Sequence, residues 1–198
     1  MSGYAQRGLG EFLGLVAARE PAPGGGSVAA VTVSLAASLT EMSARFSSFA
    51  GAGQVAEDAD ELRRRATTLA DADAAAYGAV LAERRASSGA GSTGSSERMS
   101  GLLLRAAEVP LEVSAIGAEV AGMAALLARD GNPNLRGDAV TGLLLAEAAT
   151  RAAAVLVELN VAELTDSGEA LRRQAEGNVT AAAAARVRIG AAGCSLGG

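Results

Sequence analysis

Three kinds of residue in this chain are arranged so that they could do chemistry. The first is the run Pro21-Ala22-Pro23-Gly24-Gly25-Gly26-Ser27. Its prolines hold the arriving chain extended, and its glycines give up side chains where backbone must turn tightly or approach a ligand. Ser27 stands where a helix N-cap belongs, so free N–H groups at a helix N-terminus would suit a carboxylate, a phosphate or a polar heterocycle. The alternative is a tight loop with an ordinary cap. The second is Gly131-Asn132-Pro133-Asn134-Leu135-Arg136-Gly137-Asp138, another Gly/Pro turn. There Asn132 and Asn134 supply donors and acceptors, and Asp138 stands at the start of the next helix, where an N-cap is the ordinary role. The third is the set of carboxylates on the predicted helices.

The missing residue types narrow the chemistry. The chain has no His, and all 17 of its basic residues are Arg. Ser-His-Asp and Cys-His sites, a Schiff-base lysine, a phosphate-binding lysine and any His-bearing zinc site are excluded. Proton transfer would fall to carboxylates, Tyr4, Tyr77, the thiol or water. The lone cysteine, Cys194, reads as an incidental free thiol in a Gly-rich tail. A net charge of −5 argues against nucleic acid. Arg63-Arg64-Arg65, Arg84-Arg85 and Arg172-Arg173 read as solvated helix faces with local ion pairs.

The elements that must position these residues read as helices. At 198 residues, with 49% hydrophobic and only 3% aromatic residues, one domain with a core of Ala, Leu and Val is expected. The pattern predicts helices over about 8–18, 27–50, 55–85, 97–129 with a kink at Pro110, 139–164 and 166–190. A flexible loop is expected at 87–96 and a capping box at Asp166-Ser167-Gly168-Glu169. No segment alternates as a strand would, so the predicted fold class is an all-α bundle of five or six helices, several of them long.

The pattern also assigns faces. Val28, Val31, Leu35, Leu39, Met42, Phe46 and Phe49, at spacings of three and four, mark one apolar face of the second helix. Glu147, Arg151 and Glu158 mark the solvent side of the fifth helix, with Asp138, Gly142, Leu145, Ala149, Leu156 and Asn160 opposite. Asn160, some 30 Å from Asp138, reads as an interhelical hydrogen-bonding group or as part of a second subunit's site. After its prolines and glycines, the uncharged run 21–40 is too short to span a bilayer, and 1–12 lacks a signal-peptide core. A cytoplasmic location without membrane or nucleic-acid partners is expected.

The loops PAPGGGS and GNPNLRGD, the leading segment EFLGLVAARE, Leu39-Thr40-Glu41-Met42, Asp73 followed by Tyr77, Leu145-Ala146-Glu147-Ala148 and Glu158-Leu159-Asn160-Val161 together resemble the formiminotransferase-cyclodeaminase C-terminal family. That family includes stand-alone methenyltetrahydrofolate cyclohydrolases. The resemblance implies an all-helical homodimer with no covalently bound cofactor and no metal, acting on a tetrahydrofolate derivative in a pocket lined by both loops. By that analogy Gly24, Gly25, Gly26 and Ser27 contact substrate, Asn132 and Asn134 shape the pocket, Asp138 is the acid/base group and Asp73 a further binding residue. For Asp73 the alternative is a solvated helical carboxylate. The implied reaction is hydrolysis of the cyclic amidinium of methenyltetrahydrofolate, with water as nucleophile. The alternatives are a cyclodeaminase, a relative acting on a non-folate cyclic amidine or imine, and a helical dimer that binds a ligand without turnover.

Overall fold

The computed structural model describes residues 3–87, 94–162, 164 and 166–190. After a 3-10 turn at Tyr4–Gln6 come α1 (Leu9–Val16), α2 (Gly25–Arg45), α3 (Ala52–Ser87) and α4 (Gly94–Asp130). A second 3-10 turn (Pro133–Leu135) leads into α5 (Arg136–Val161), and α6 (Asp166–Gly190) follows. No strand occurs among the described residues. Helix α4 is central, packing on α2, α3, α5 and α6, and α2 lies between α3 and α5. Most of the predicted flexible loop, the side chains of the predicted capping box at Asp166 and Ser167, and Cys194 lie outside the described residues.

The core is built from small side chains. Helix α2 buries Ala29, Ala30, Val33, Ala36, Ala37 and Ala44, and these meet Ala66, Ala124, Ala146 and Ala153 around Val113, Ile116, Val120 and Leu143. Alanine pays no side-chain entropy in a helix, and its small size lets backbones approach closely. The larger apolar stripe of α2 therefore lies only partly against the core, with Val31 and Phe49 packed on it. Leu35 is 54% and Phe46 68% exposed, because the Ala face fits against the neighbouring helices and turns the Leu/Phe stripe outward.

Most buried polar groups are paired, the Ser43 hydroxyl of α2 being an exception. Thr40 and Thr150 donate to Ala36 and Ala146 one turn back on their own helices, both carbonyls at 2.8–2.9 Å. Glu147 corrects a face assignment: it is not on the solvent side but 6% exposed, bridged at 2.9 Å by Arg186 of α6. Glu41 is likewise covered and paired with Arg63 and Arg45. A second correction concerns length. By length and composition α2, Ser96–Asp130 and Pro133–Val161 are each apolar enough to cross a membrane, and 44–61% of those windows lies inside the bundle.

Gly117 shows how little room the core leaves. A Cβ there would overlap Thr150 Oγ1 and lie 3.3 Å from the Ala146 carbonyl and 3.4 Å from Val33. Gly117→Ala is expected to destabilise the fold by about 1–3 kcal/mol, whereas Gly10→Ala on α1, with no atom near its Cβ, should be neutral or stabilising by up to about 1 kcal/mol. Urea midpoints of the two variants check this.

Candidate functional site

The glycine run opens α2 two residues earlier than expected. Gly24 is the N-cap, Gly25 and Gly26 are already helical, and Ser27 lies in the first turn. Ser27 is fully buried and donates its hydroxyl to the Ala70 carbonyl at 2.8 Å, with Asp73 Oδ2 at 3.1 Å. The first turn of α2 is thus capped from outside. Asp73 of α3 also receives the Ser27 backbone N–H, so its carboxylate occupies the positive end of the helix. That corrects both the expected role of Ser27 as cap and the alternative of a solvated Asp73.

Gly26 makes this contact geometrically feasible. A Cβ built on it would fall inside the Asp73 carboxylate, 2.7 Å from even the further oxygen. The requirement is space, since no positive φ is involved. Burial pushes the Asp73 carboxyl above the ordinary aspartate range, and the hydroxyl and N–H of Ser27 pull it part of the way back. The nearby Tyr4 phenol is itself raised by burial, then by Asp71, with a smaller push from Asp73. Asp71 is held in turn by the Tyr4 N–H at 2.9 Å.

A cavity of about 230 Å³ opens beside this cap, lined by Pro21, Ala22, Gly24, Gly25, Gly26, Asp73, Ala74, Tyr77, Ala106, Leu156, Leu159 and Asn160. Its floor is apolar, its polar groups are Asp73, Tyr77, Asn160 and backbone, and Asp73 is the one charged side chain among its lining residues. Tyr77 follows Asp73 by one turn of α3, which places both on one face. Asn160 reaches the cavity from the last turn of α5 and donates its Nδ2 to the Ala106 carbonyl of α4 at 2.9 Å.

The Asn-Pro-Asn loop lies elsewhere in the protomer. It caps the opposite end of α2: Asn132 donates its backbone N–H to Ser47 Oγ and its Nδ2 to the Phe46 carbonyl, both at 3.0 Å. Its Oδ1 accepts the Asn134 N–H at 3.0 Å. The Asn132 side chain is therefore committed to holding the loop, while Asn134 is exposed. Asp138 is half-buried in the first turn of α5, whose N-cap is Leu135, so it favours the helix dipole without being the cap. The 21 residues of α2 separate the two loops by roughly 30 Å. Within one protomer Gly24, Gly25, Gly26, Ser27 and Asp73 come together; Asn132, Asn134 and Asp138 do not join them.

Leu156, Leu159, Ala74 and Ala106 were not expected as pocket walls, whereas Asn160 makes the interhelical hydrogen bond expected of it and also lines the cavity. Among the described residues no cluster of three or more metal-ligating side chains occurs. Gly26→Ala is expected to destabilise the protein by about 1–3 kcal/mol, and by clearly less when Asp73→Ala has already removed the obstructing carboxylate. A double-mutant cycle of urea midpoints measures that coupling.

Comparison with known proteins follows this geometry. The formiminotransferase-cyclodeaminase family model matches residues 8–179. A methenyltetrahydrofolate cyclohydrolase of Methylorubrum extorquens is 30% identical, over 90% of this chain and 91% of its own length. The crystal structure of formiminotetrahydrofolate cyclodeaminase from Thermotoga maritima superposes with a TM-score of 0.85 at 26% identity, covering 94% of this chain and 96% of the other. With the family model spanning most of the chain and the helical architecture shared end to end, this protein belongs to the formiminotransferase-cyclodeaminase family of enzymes.

Proposed function

We propose that the glycine-loop cavity hydrolyses the cyclic amidinium of a methenyltetrahydrofolate-type substrate to the formyl product. The observation that carries this reading is that Asp73 is the one charged side chain lining the cavity. A bare helix N-terminus would invite an anion, but this one is already met by a carboxylate, and a second anion would be repelled. A delocalised cation is attracted instead. The volume of about 230 Å³ suits a ring head and leaves the rest of a folate outside, since pockets for whole drug-sized ligands run to about 300–1,000 Å³.

Asp73 takes the acid/base role within the protomer. Water attacks the amidinium carbon and passes one proton to the Asp73 carboxylate. The C–N bond to one ring nitrogen then breaks, and that nitrogen takes the proton from Asp73. The hydroxyl oxygen becomes the formyl oxygen and releases the second water proton to solvent, so the positive charge leaves as H⁺ and Asp73 is regenerated. Neither a metal nor a redox cofactor enters this sequence.

Asp138 reaches such a site only from a second copy. Helices α2 and α5 pack side by side and expose Leu35, Phe46, Leu144, Val155 and Leu159. A homodimer closed over this face by a two-fold axis perpendicular to α2 would run the two α2 helices antiparallel. The Asp138 end of one protomer would then lie at the glycine end of its partner. A cyclodeaminase acting on formiminotetrahydrofolate is the second reading, favoured by the likeness to the Thermotoga maritima structure; ammonia release distinguishes it from hydrolysis.

Asp73→Asn is expected to lower kcat for methenyltetrahydrofolate hydrolysis by at least about 100-fold, read from the decay of its near-ultraviolet absorbance against the spontaneous rate. Activity requires the carboxylate, so kcat/KM should fall as pH drops through the Asp73 pKa, at a midpoint above the ordinary aspartate range. For the composite site, Asp138→Asn should also be inactive. Co-expression of the Asp73→Asn and Asp138→Asn chains should then restore about a quarter of wild-type activity, because half of randomly formed dimers carry one intact site of two. No recovery would confine the chemistry to a single protomer.

A further inference from the structure

Pro110 sits in the interior of α4 and is fully buried. A proline has no backbone N–H, so the carbonyl four residues earlier loses its helical donor. That carbonyl is Ala106, whose residue lines the cavity. A buried carbonyl left without a donor is costly, and the donor here comes from another helix: Asn160 Nδ2 of α5, at 2.9 Å.

This pairing fixes more than the carbonyl. A carbonyl only accepts, so Asn160 must turn its NH₂ toward Ala106, and its Oδ1 is left as the group it offers to the cavity. We propose that Pro110 is a positioning residue: by freeing the Ala106 carbonyl it orients the Asn160 carboxamide, so that Oδ1 selects ligands presenting a ring amide or amine N–H. Had residue 110 carried an N–H, the Ala106 carbonyl would be engaged within α4 and the Asn160 amide would be free to turn over. This inference rests on the cavity being the substrate site. It gives the cavity two complementary ends, a carboxylate for the cationic carbon and a fixed acceptor for an N–H of the ring.

The test has one readout independent of turnover and one that depends on it. In ¹⁵N-labelled protein the Asn160 side-chain amide, assigned by its loss in Asn160→Ala, should exchange its hydrogens at least about tenfold faster in Pro110→Ala than in wild type. With methenyltetrahydrofolate, Pro110→Ala and Asn160→Ala should each raise KM by about tenfold, the worth of one hydrogen bond, with kcat changed less than about threefold. The double variant should be no worse than Asn160→Ala alone, because both substitutions remove the same acceptor. Unchanged exchange in Pro110→Ala, or KM effects that multiply to about a hundredfold in the double variant, would overturn the proposal. Faster exchange together with no turnover by wild type would support the positioning and count against the functional reading alone.

Discussion

The Asp73 carboxylate against the first turn of α2 is the contact on which the site depends. It ties α3 to α2, satisfies the Ser27 N–H, requires glycine at position 26 and sets the sign of the charge that the cavity will accept. Without it, the glycine run would be an anion site of the kind that helix N-termini commonly provide. With it, the helix dipole stabilises a protein carboxylate, and that carboxylate lines the cavity. Burial and the Ser27 hydrogen bonds act on Asp73 in opposite directions, and burial is the larger effect. The result is a carboxylate with a more basic character than a surface aspartate, as a group that must take up and return a proton requires.

Small residues make the arrangement compatible with a stable bundle. Ala faces on α2, α4 and α5 bring the backbones close, and two carbonyls without a helical donor find partners on another helix or loop. Asn160 serves the carbonyl released by Pro110, and Asn132 serves the Phe46 carbonyl at the end of α2. In each case an asparagine from one helix or loop completes the hydrogen bonding of another. One asparagine is thereby placed in the cavity and the other fixes the loop at the far end.

The fold was legible in the sequence because helix-forming composition and Gly/Pro punctuation agree along the chain. The class and the order of the helices came through, with most boundaries displaced by up to about three residues and the C-terminal end of α2 by about five. Which face of each helix is buried was much less legible. In an Ala-rich bundle the larger apolar side chains do not mark the core, and Leu35 and Phe46 of the apolar stripe lie exposed. Glu147 was read outward, because its partner Arg186 lies 39 positions away in the chain. The glycine run was recognised as a site, but its cap comes from Asp73, 46 residues further on, a pairing that no local pattern announces. That both loops line one pocket came from the family resemblance, not from either loop's own sequence. Only the length of α2 separates them, and only a second copy would reunite them.

The ¹³C carboxyl resonance of Asp73, titrated with and without bound methenyltetrahydrofolate, tests the central claim most directly. If the cavity holds the cationic ring against this carboxylate, the Asp73 pKa should begin above the ordinary aspartate range and fall when the ligand binds, since the cation stabilises the charged form. A pKa that is unchanged or raised on binding would contradict the account, because the ligand would then be presenting a neutral or anionic group to Asp73.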